Sequence, residues 1–563
     1  MQETTMNQPW LSSYQKGVPA TINIDEYESV ADIFDEAFER YAERPVATSM
    51  GKDMTYGQMD KYSKHVGAWL QQLGLKKGDR VAIMMPNCLQ YPILVAAILR
   101  AGYCVVNVNP LYTPTELTHQ LNDSNARAIF LLENFAHTLQ VSLPNLKQLQ
   151  HVVISTLGDM LGLKGHVVNL VVRHVKKMVP AYELENATSF KSVLAQGARL
   201  SLTPVQLGHE DLAFLQYTGG TTGVAKGATL THGNLVANVL QVDAWCEQAI
   251  DLKNNPGPVF VGALPMYHIL ALTACALYAA HLGGRVILIT NPRDIPAFIK
   301  ELAKYPFTVL PAVNTLFNAL LNHPDFAKLD FSKLKVALGG GMAVQQAVAE
   351  KFQKATGVPL CEAYGLSETS PGALFNPLDL TAYTGYTGLP LPSTDVKMLD
   401  EQGNEVPMGE PGEIAIKGPQ VMRGYWQRDD ETAKAMTPDG YFKTGDIGII
   451  NDKGYVKIVD RKKNMILVSG FNVYPNEIED IAARHPKVLE SAAIGVADEH
   501  SCEAVKLFVV KKDGSLTEAE LMAFMKEYLT GYKRPKYVEF RAELPKSNVG
   551  KILHKDLREP AKH

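Results

Sequence analysis

The chain is poor in everything that would hold a protein in an oxidising compartment or across a bilayer. Its six cysteines, Cys88, Cys104, Cys246, Cys275, Cys361 and Cys502, are scattered with no CxxC pair. That excludes a zinc ribbon and a dense disulfide framework, and fits a reducing cytosol. The longest apolar run, Ile269 to Ala280, has 12 residues, short of the ~20 that span a membrane, so it reads as a buried helix. The N-terminal stretch is polar and lacks a basic-then-apolar leader pattern, so the expected location is the cytoplasm. With 55 Lys and Arg against 59 Asp and Glu, no polyanion-wide surface exists and no nucleic-acid partner is expected. Internal repeats and low-complexity tracts are missing too.

What is there is α/β texture. At 563 residues the chain exceeds one core, given a prior of ~150 residues per domain. Val30, Ile33, Phe34, Ala37, Phe38 and Tyr41 fall at helical spacing behind a candidate N-cap, Ser29. Apolar runs at Val81–Met85, Cys104–Val108, Ala128–Leu132, Val259–Leu264, Val286–Ile289 and Val336–Leu338 then alternate with helical patterns. Strands apolar on both faces and separated by helices predict doubly wound parallel sheets. From about Gly385 to residue 459, shorter alternating strands predict a small antiparallel barrel or sheet. A charged stretch follows, Asp460-Arg461-Lys462-Lys463-Asn464. The expected architecture is a large N-terminal domain (1–459), a linker (460–465) and a smaller α+β domain (466–563). Residues 531–558 hold eight Lys or Arg against three acids, which is either a solvated face or a surface for an anion shared with the larger body.

The most informative segment is YTGGTTGVAKG, Tyr217 to Gly227, followed by Ala228 and preceded by the apolar run Leu212–Leu215. Glycines bring backbone N–H groups close to an anion, hydroxyls add donors, and Lys226 supplies a point charge. The combination reads as a phosphate cradle, with a flexible turn as the alternative. It has neither Walker A nor GxGxxG spacing. Other segments fall where strands end, the ligand side of an open α/β sheet. Gly339, Gly340 and Gly341 would let a flat ring lie on backbone. In Glu362-Ala363-Tyr364-Gly365-Leu366-Ser367-Glu368, Tyr364 could stack on a base and Glu368 could hold Mg²⁺, against the plainer readings of core tyrosine and solvated acid. Asp446 offers a carboxylate for a ribose diol, Arg461 stands at the linker, and Lys551 follows a turn.

Six motifs, YTGGTTGVAKG, ALPMYH (263–268), YGLSE (364–368), KTGD (443–446), DRKK (460–463) and LPKSNVGKI (544–552), give the chain an order and spacing that resemble the adenylate-forming superfamily over nearly its whole length. Residues 439–475, NPLYTPTEL (109–117) and the tail 544–558 look especially like bacterial long-chain fatty-acid CoA ligases. The resemblance implies a two-step activation: fatty carboxylate plus ATP gives acyl-AMP and pyrophosphate, and the CoA thiol then displaces AMP. It implies that Thr218, Gly219, Gly220, Thr221, Thr222 and Lys226 hold the β,γ-phosphates, that Gly339–Gly341 with Tyr364 flank adenine, and that Tyr217, Gly223, Val224, Ala225, Gly227, Ala228, Glu362, Ala363, Gly365 and Ser367 complete the ATP site. By the same resemblance Glu368 ligates Mg²⁺, Asp446 and Arg461 grip ribose, and His268 stands by the acyl carboxylate unless it is a core histidine. Lys551 would be the catalytic lysine, Lys463 the hinge, and Ser469 and Gly470 would border the CoA tunnel. Ser367 stands where the family usually has Thr and keeps the hydroxyl, and Cys502 replaces a common Gly.

Residues 166–179, HVVNLVVRHVKKMV, read as a basic amphipathic helix. His166, Asn169, Arg173, Lys176 and Lys177 form its polar face, and Val168, Val171, Val172, Val175 and Val179 the other. That apolar face either packs on the body or lies on a membrane, which would make the protein peripheral on the inner face of the cytoplasmic membrane. A homodimer is also compatible with the sequence. The competing function classes are an aromatic- or medium-chain-acid CoA ligase, a fatty acyl-AMP ligase, a luciferase-like oxygenase, and a non-catalytic fatty-acid binder.

Overall fold

Ser29 does start the first long helix, Val30–Arg40, through a capping box with Asp32, and Val30, Ile33, Phe34, Ala37 and Phe38 form its buried face. A cap of this kind contributes about 1 kcal/mol, and the buried stripe contributes far more, at ~1.5–3 kcal/mol per large apolar side chain. The computed structural model describes residues 8–218, 225–254, 256–469, 471–498, 501–548 and 550–558. Gly219, Gly220, Thr221, Thr222, Gly223, Val224 and Gly470 lie outside the described residues.

Two large sheets arise from the two-sided apolar strands. One has nine strands, running in space from Leu389–Pro390 through Gly372–Phe375, Leu360–Gly365, Val336–Gly340, Val309–Ala312, Val259–Gly262, Arg285–Leu288 and Pro45–Ser49 to Lys52–Thr55. The other has eight, from Gly424–Tyr425 through Lys226–Thr231, Leu212–Thr218, Cys104–Asn107, Arg80–Met84, Ala126–Leu132 and His151–Ser155 to Thr188–Ser189. Their central strands are parallel. Alternation decides which layer each residue joins. Phe260 and Val81 enter a core shared with helices Tyr56–Gln71, Gln90–Arg100 and His232–Ile250, whereas neighbouring Val261 and Ala82 enter separate outer layers. The run Ile269–Ala280 is the expected buried helix, interrupted by a wider-turn stretch at Leu272–Tyr278.

The short strands after Gly385 form an antiparallel four-stranded sheet, Asp395–Leu399, Gly412–Lys417, Phe442–Ile450 and Val456–Arg461. Beyond it a five-stranded sheet carries the terminal lobe, with helices Pro475–Arg484 and Glu518–Tyr528. Ile466, Ile478, Leu507, Leu521 and Met525 belong to a core of its own.

The faces assigned to residues 166–179 need correction. The helix runs Leu163–Leu170 and widens at Val171–Val175. Arg173 points at the body, where its guanidinium forms two-pronged bonds to buried Glu133 at 2.5 to 3.0 Å. Asn169 also faces in, bonding Gly158 N and Thr156 Oγ1, and Val172 is buried. Leu163, Val167, Leu170, Val175 and Met178 are instead exposed, Leu163 to 89%. A buried carboxylate needs a cation more than the core needs another valine, and the widened turn shifts the register that a 3.6-residue period assumes. No helix among the described residues is long and apolar enough to cross a membrane.

Candidate active site

Strands Leu212–Thr218, Val336–Gly340 and Leu360–Gly365 end at one cleft of about 1610 Å³, which residues of the terminal lobe also line. Tyr217, Thr218, Lys226, His268, Gly340, Gly341, Glu362, Ala363, Tyr364, Gly365, Ser367, Glu368, Asp446, Arg461, Lys463 and Lys551 all line it. The fold thus collects groups spread over more than 330 residues of chain.

Strands Leu212–Thr218 and Lys226–Thr231 run antiparallel, with Thr218 paired to Lys226 and Tyr217 to Gly227. The Lys226 ammonium sits 4.6 Å over the Tyr425 ring and 2.6 Å from a Glu431 oxygen. Behind this strand pair, Ala225 O faces the His119 ring at 3.1 Å. Trp426 N donates to Gly227 O at 2.8 Å, and Ala228 is fully buried beside Tyr425. These three residues support the strand pair and do not line the cleft.

Across the cleft, the Tyr364 hydroxyl donates to Asp446 Oδ2 at 2.6 Å, and Arg461 Nε pairs with Asp446 Oδ1 at 3.2 Å. Asp446 and Arg461 are direct partners on adjacent strands, which is why two motifs 15 positions apart converge. Glu368 is buried and accepts from the Tyr425 hydroxyl at 2.8 Å. Burial raises its pKa, opposed by the Tyr425 bond and by Arg461 and Lys226. Glu362 accepts from Val344 N at 3.0 Å, and burial pushes its carboxyl up to about 8.

Of the three glycines, Gly340 and Gly341 line the cleft and Gly339 does not. A Cβ on Gly339 would meet Val344 Cγ2 at 2.4 Å, so that position is filled by the Val344 side chain. At Gly341, with φ +80°, a Cβ would stand 3.2 Å from Lys551 Cε. The lysine therefore reaches the glycine strand end directly. Its turn is closed by Gly550 N donating to Ser547 O (3.0 Å) and Lys551 N donating to Ser547 Oγ (3.1 Å), with Gly550 at φ +84°, where a side chain would be strained. Loss of hydration, then the Arg461 charge, pushes Lys551 down to about 8, while Asp446 and Glu368 pull it back up. Half-buried His268 is pushed down to about 3 by lost hydration and by Lys551, so it is neutral at physiological pH.

Lys463 occupies the turn after Val456–Arg461, and its carbonyl accepts from Arg558 at 3.3 Å. Ser469 is exposed at φ +51°, bonds Ser501 O through its N–H at 2.8 Å, and does not line the cleft. Several residues that matter here carried no sequence signal. Asn87, Tyr91, Asn107 and Gln216 form a buried hydrogen-bonded set that grips the carbonyls and N–H of the 262–267 segment before His268. Tyr425 and Glu431 were equally silent. Only the GYW aromatic pair at 424–426, in an otherwise polar stretch, hinted at a buried role.

No three His, Cys, Asp or Glu side chains cluster as a metal cage among the described residues. A single buried carboxylate, Glu368, fits Mg²⁺, which takes one or two protein carboxylates and fills its shell with water and substrate phosphate. A cation there would also relieve the charge that burial disfavours.

A family model described as AMP-binding enzyme matches residues 34–426, and one described as AMP-binding enzyme C-terminal domain matches 477–551. The long-chain-fatty-acid–CoA ligase of Escherichia coli O6:H1 is 56% identical over 560 residues, covering 99% of both chains. The Bacillus subtilis enzyme of the same name is 37% identical over 554 residues, 98% of both. Among solved structures, an anthranilate CoA ligase in complex with anthranoyl-AMP aligns with TM-score 0.84 at 23% identity, covering 95% of this chain and 98% of that one. ATP-bound MatB from Rhodopseudomonas palustris aligns with TM-score 0.76 at 28% identity, covering 94% and 98%.

Proposed function

The chain belongs to the AMP-binding enzyme family, and from that premise we propose that it is a long-chain fatty acid–CoA ligase, an AMP-forming acid–thiol ligase working through acyl-AMP. The observation that carries the reading is the meeting of Lys551 from the terminal lobe with Gly341, Asp446 and Glu368 from the body in one cleft. Full-length likeness to relatives named for this activity supports it.

The fatty carboxylate oxygen attacks the α-phosphorus, the bond to the β-phosphate oxygen breaks, and pyrophosphate leaves with the electron pair. Lys551 offsets the negative charge that grows at the attacking carboxylate and α-phosphate. Thr218, Lys226 and the intervening loop hold the departing phosphates. Glu362–Gly365 with Gly340 and Gly341 flank adenine, and Asp446, steadied by Tyr364 and Arg461, takes the ribose hydroxyls. Neutral His268 adds no competing charge beside the acyl carboxylate. Glu368 would hold Mg²⁺, which when bound screens the polyphosphate charge. In the second step the CoA thiol, losing its proton, attacks the acyl carbon and AMP leaves. That step belongs to a rotated terminal lobe turning about residues 460–465, with Ser469 brought to a pantetheine path.

Palmitate-driven ATP–pyrophosphate exchange, followed by CoA-dependent turnover over C6 to C18 acids, tests the reading. Exchange without CoA turnover, or turnover only with aromatic acids, overturns it. The Lys551 environment adds a pH expectation. The ammonium is the working form, and kcat/KM for acyl-AMP formation reports the free enzyme. The rate therefore falls as pH rises through about 8. In Lys551→Arg, whatever rate survives does not fall there, because guanidinium stays charged.

The outward face Leu163, Val167, Leu170, Val175 and Met178, ringed by Lys164, His166, His174, Lys176 and Lys177, suits an anionic membrane surface on the cytoplasmic side. Five of the six cysteines are buried and all are free, as a reducing compartment allows. Flotation with anionic vesicles should be lost in Val167→Asp/Leu170→Asp protein. Undiminished flotation, or a dimer that these substitutions dissociate in sedimentation, would assign the face otherwise.

A further inference from the structure

We infer that Thr315 and Asn318, on one face of helix Asn314–Leu321, are positioning residues that seat the terminal lobe so that Lys551 enters the cleft. The inference rests on the functional reading above and adds residues to it. Thr315 Oγ1 donates to Gly550 O at 2.9 Å, the carbonyl just before Lys551. Asn318 Nδ2 donates to Leu489 O at 3.0 Å. The spacing of three puts both donors on the same helix face, and both acceptors lie in the terminal lobe. The next residue after Leu489, Glu490, pairs with Lys546 at 2.6 Å, so the second contact reaches the strand-and-turn unit that bears Lys551.

The seat has a rigid back. Asn314 and Gln345 exchange two hydrogen bonds of 3.0 Å, tying the start of this helix to that of Gln346–Thr356. There Gln346 N faces Asp480 Oδ1 of the terminal lobe at 3.4 Å, a carboxylate at the positive end of a helix dipole. At Gly550 a Cβ would come within 3.0 Å of Thr315 Oγ1, so the lobe approaches as closely as a bare backbone allows. The two side-chain bonds are neutral, and neutral bonds exchanged with water are individually weak. That suits a seat which must let go after the first half-reaction. Neither residue belongs to the terminal lobe's core, so their loss leaves that core intact.

The test compares wild type, Thr315→Val, Thr315→Val/Asn318→Ala and Thr315→Ser. Palmitate-driven ATP–pyrophosphate exchange reads the first half-reaction, and thioester formation from supplied palmitoyl-AMP reads the second. Fluorophores on Cys502, the exposed native cysteine, and on Lys328→Cys in the body read the lobe-to-body distance. The double variant should slow exchange roughly tenfold, the loss expected from two weak bonds, with thioester formation within about twofold of wild type and a broadened distance distribution. Thr315→Ser should restore the Thr315 share. Equal loss in both half-reactions, or unchanged exchange with an unchanged distance distribution, overturns the assignment. If wild type itself shows no exchange, the functional reading falls, and the distance distributions alone decide whether these residues seat the lobe.

Discussion

Replacing Lys551 with alanine should abolish acyl-AMP formation while leaving thioester formation from supplied acyl-AMP near its original rate. The expected loss in the first step is at least ~10²–10³-fold, the cost of removing one preorganised charge-stabilising group. The ammonium lies against the Gly341 backbone, within reach of the Asp446 and Glu368 fields, and among the described residues no other terminal-lobe lysine comes as close to Gly341. Arg461 cannot substitute, because its guanidinium is committed to Asp446. Alanine also removes little packing, since Lys551 is only half-buried, so the melting temperature should hardly move. Equal damage to both half-reactions would show that Lys551 serves the fold or CoA and not the phosphate chemistry.

Lys463→Pro should do the opposite, sparing pyrophosphate exchange and slowing thioester formation on the order of a hundredfold, the scale on which misplaced reacting groups lose rate. Lys463 stands in the turn that joins the last strand of the four-stranded sheet to the terminal lobe. Proline fixes φ near −65° and restricts the residue before it, so a turn that must change shape no longer can. The geometry described here has Lys551 already inserted, which is the arrangement the first step needs. A variant frozen near it keeps that step and loses access to the other. Rapid-quench measurement of each half-reaction separates the two, and an unimpaired second step would mean the chain pivots elsewhere.

How far the sequence could reach depended on whether a property is local. The two-sided apolar strands announced the sheets, because burial on both faces leaves no polar alternation. Tyr364, Asp446 and Arg461 were legible because each lies in a motif whose backbone is constrained by strand ends and turns. Tyr425 was not, since its value comes from touching Glu368 57 positions away and Lys226 nearly 200 positions away. Gly339 looked like Gly340 in the sequence, yet strand alternation turns the two to opposite sides of the sheet and sets Gly339 against Val344. The segment 166–179 was misread for a similar reason: periodicity says which residues share a face but cannot reveal that Glu133, distant in sequence, claims Arg173. Thr315 and Asn318 are ordinary polar helix residues until a second lobe arrives.

If Lys226 holds phosphate as proposed, its pairing with Glu431 has a consequence for how nucleotide arrives. Lys226 already has a protein carboxylate as its partner at rest. An incoming polyphosphate thus swaps one anion for another, and does not fall into a bare positive well. Small anions of the cell, which lack the several phosphates needed to displace a tethered carboxylate, gain little by visiting. Occupancy is thereby kept for guests that bring enough charge of their own.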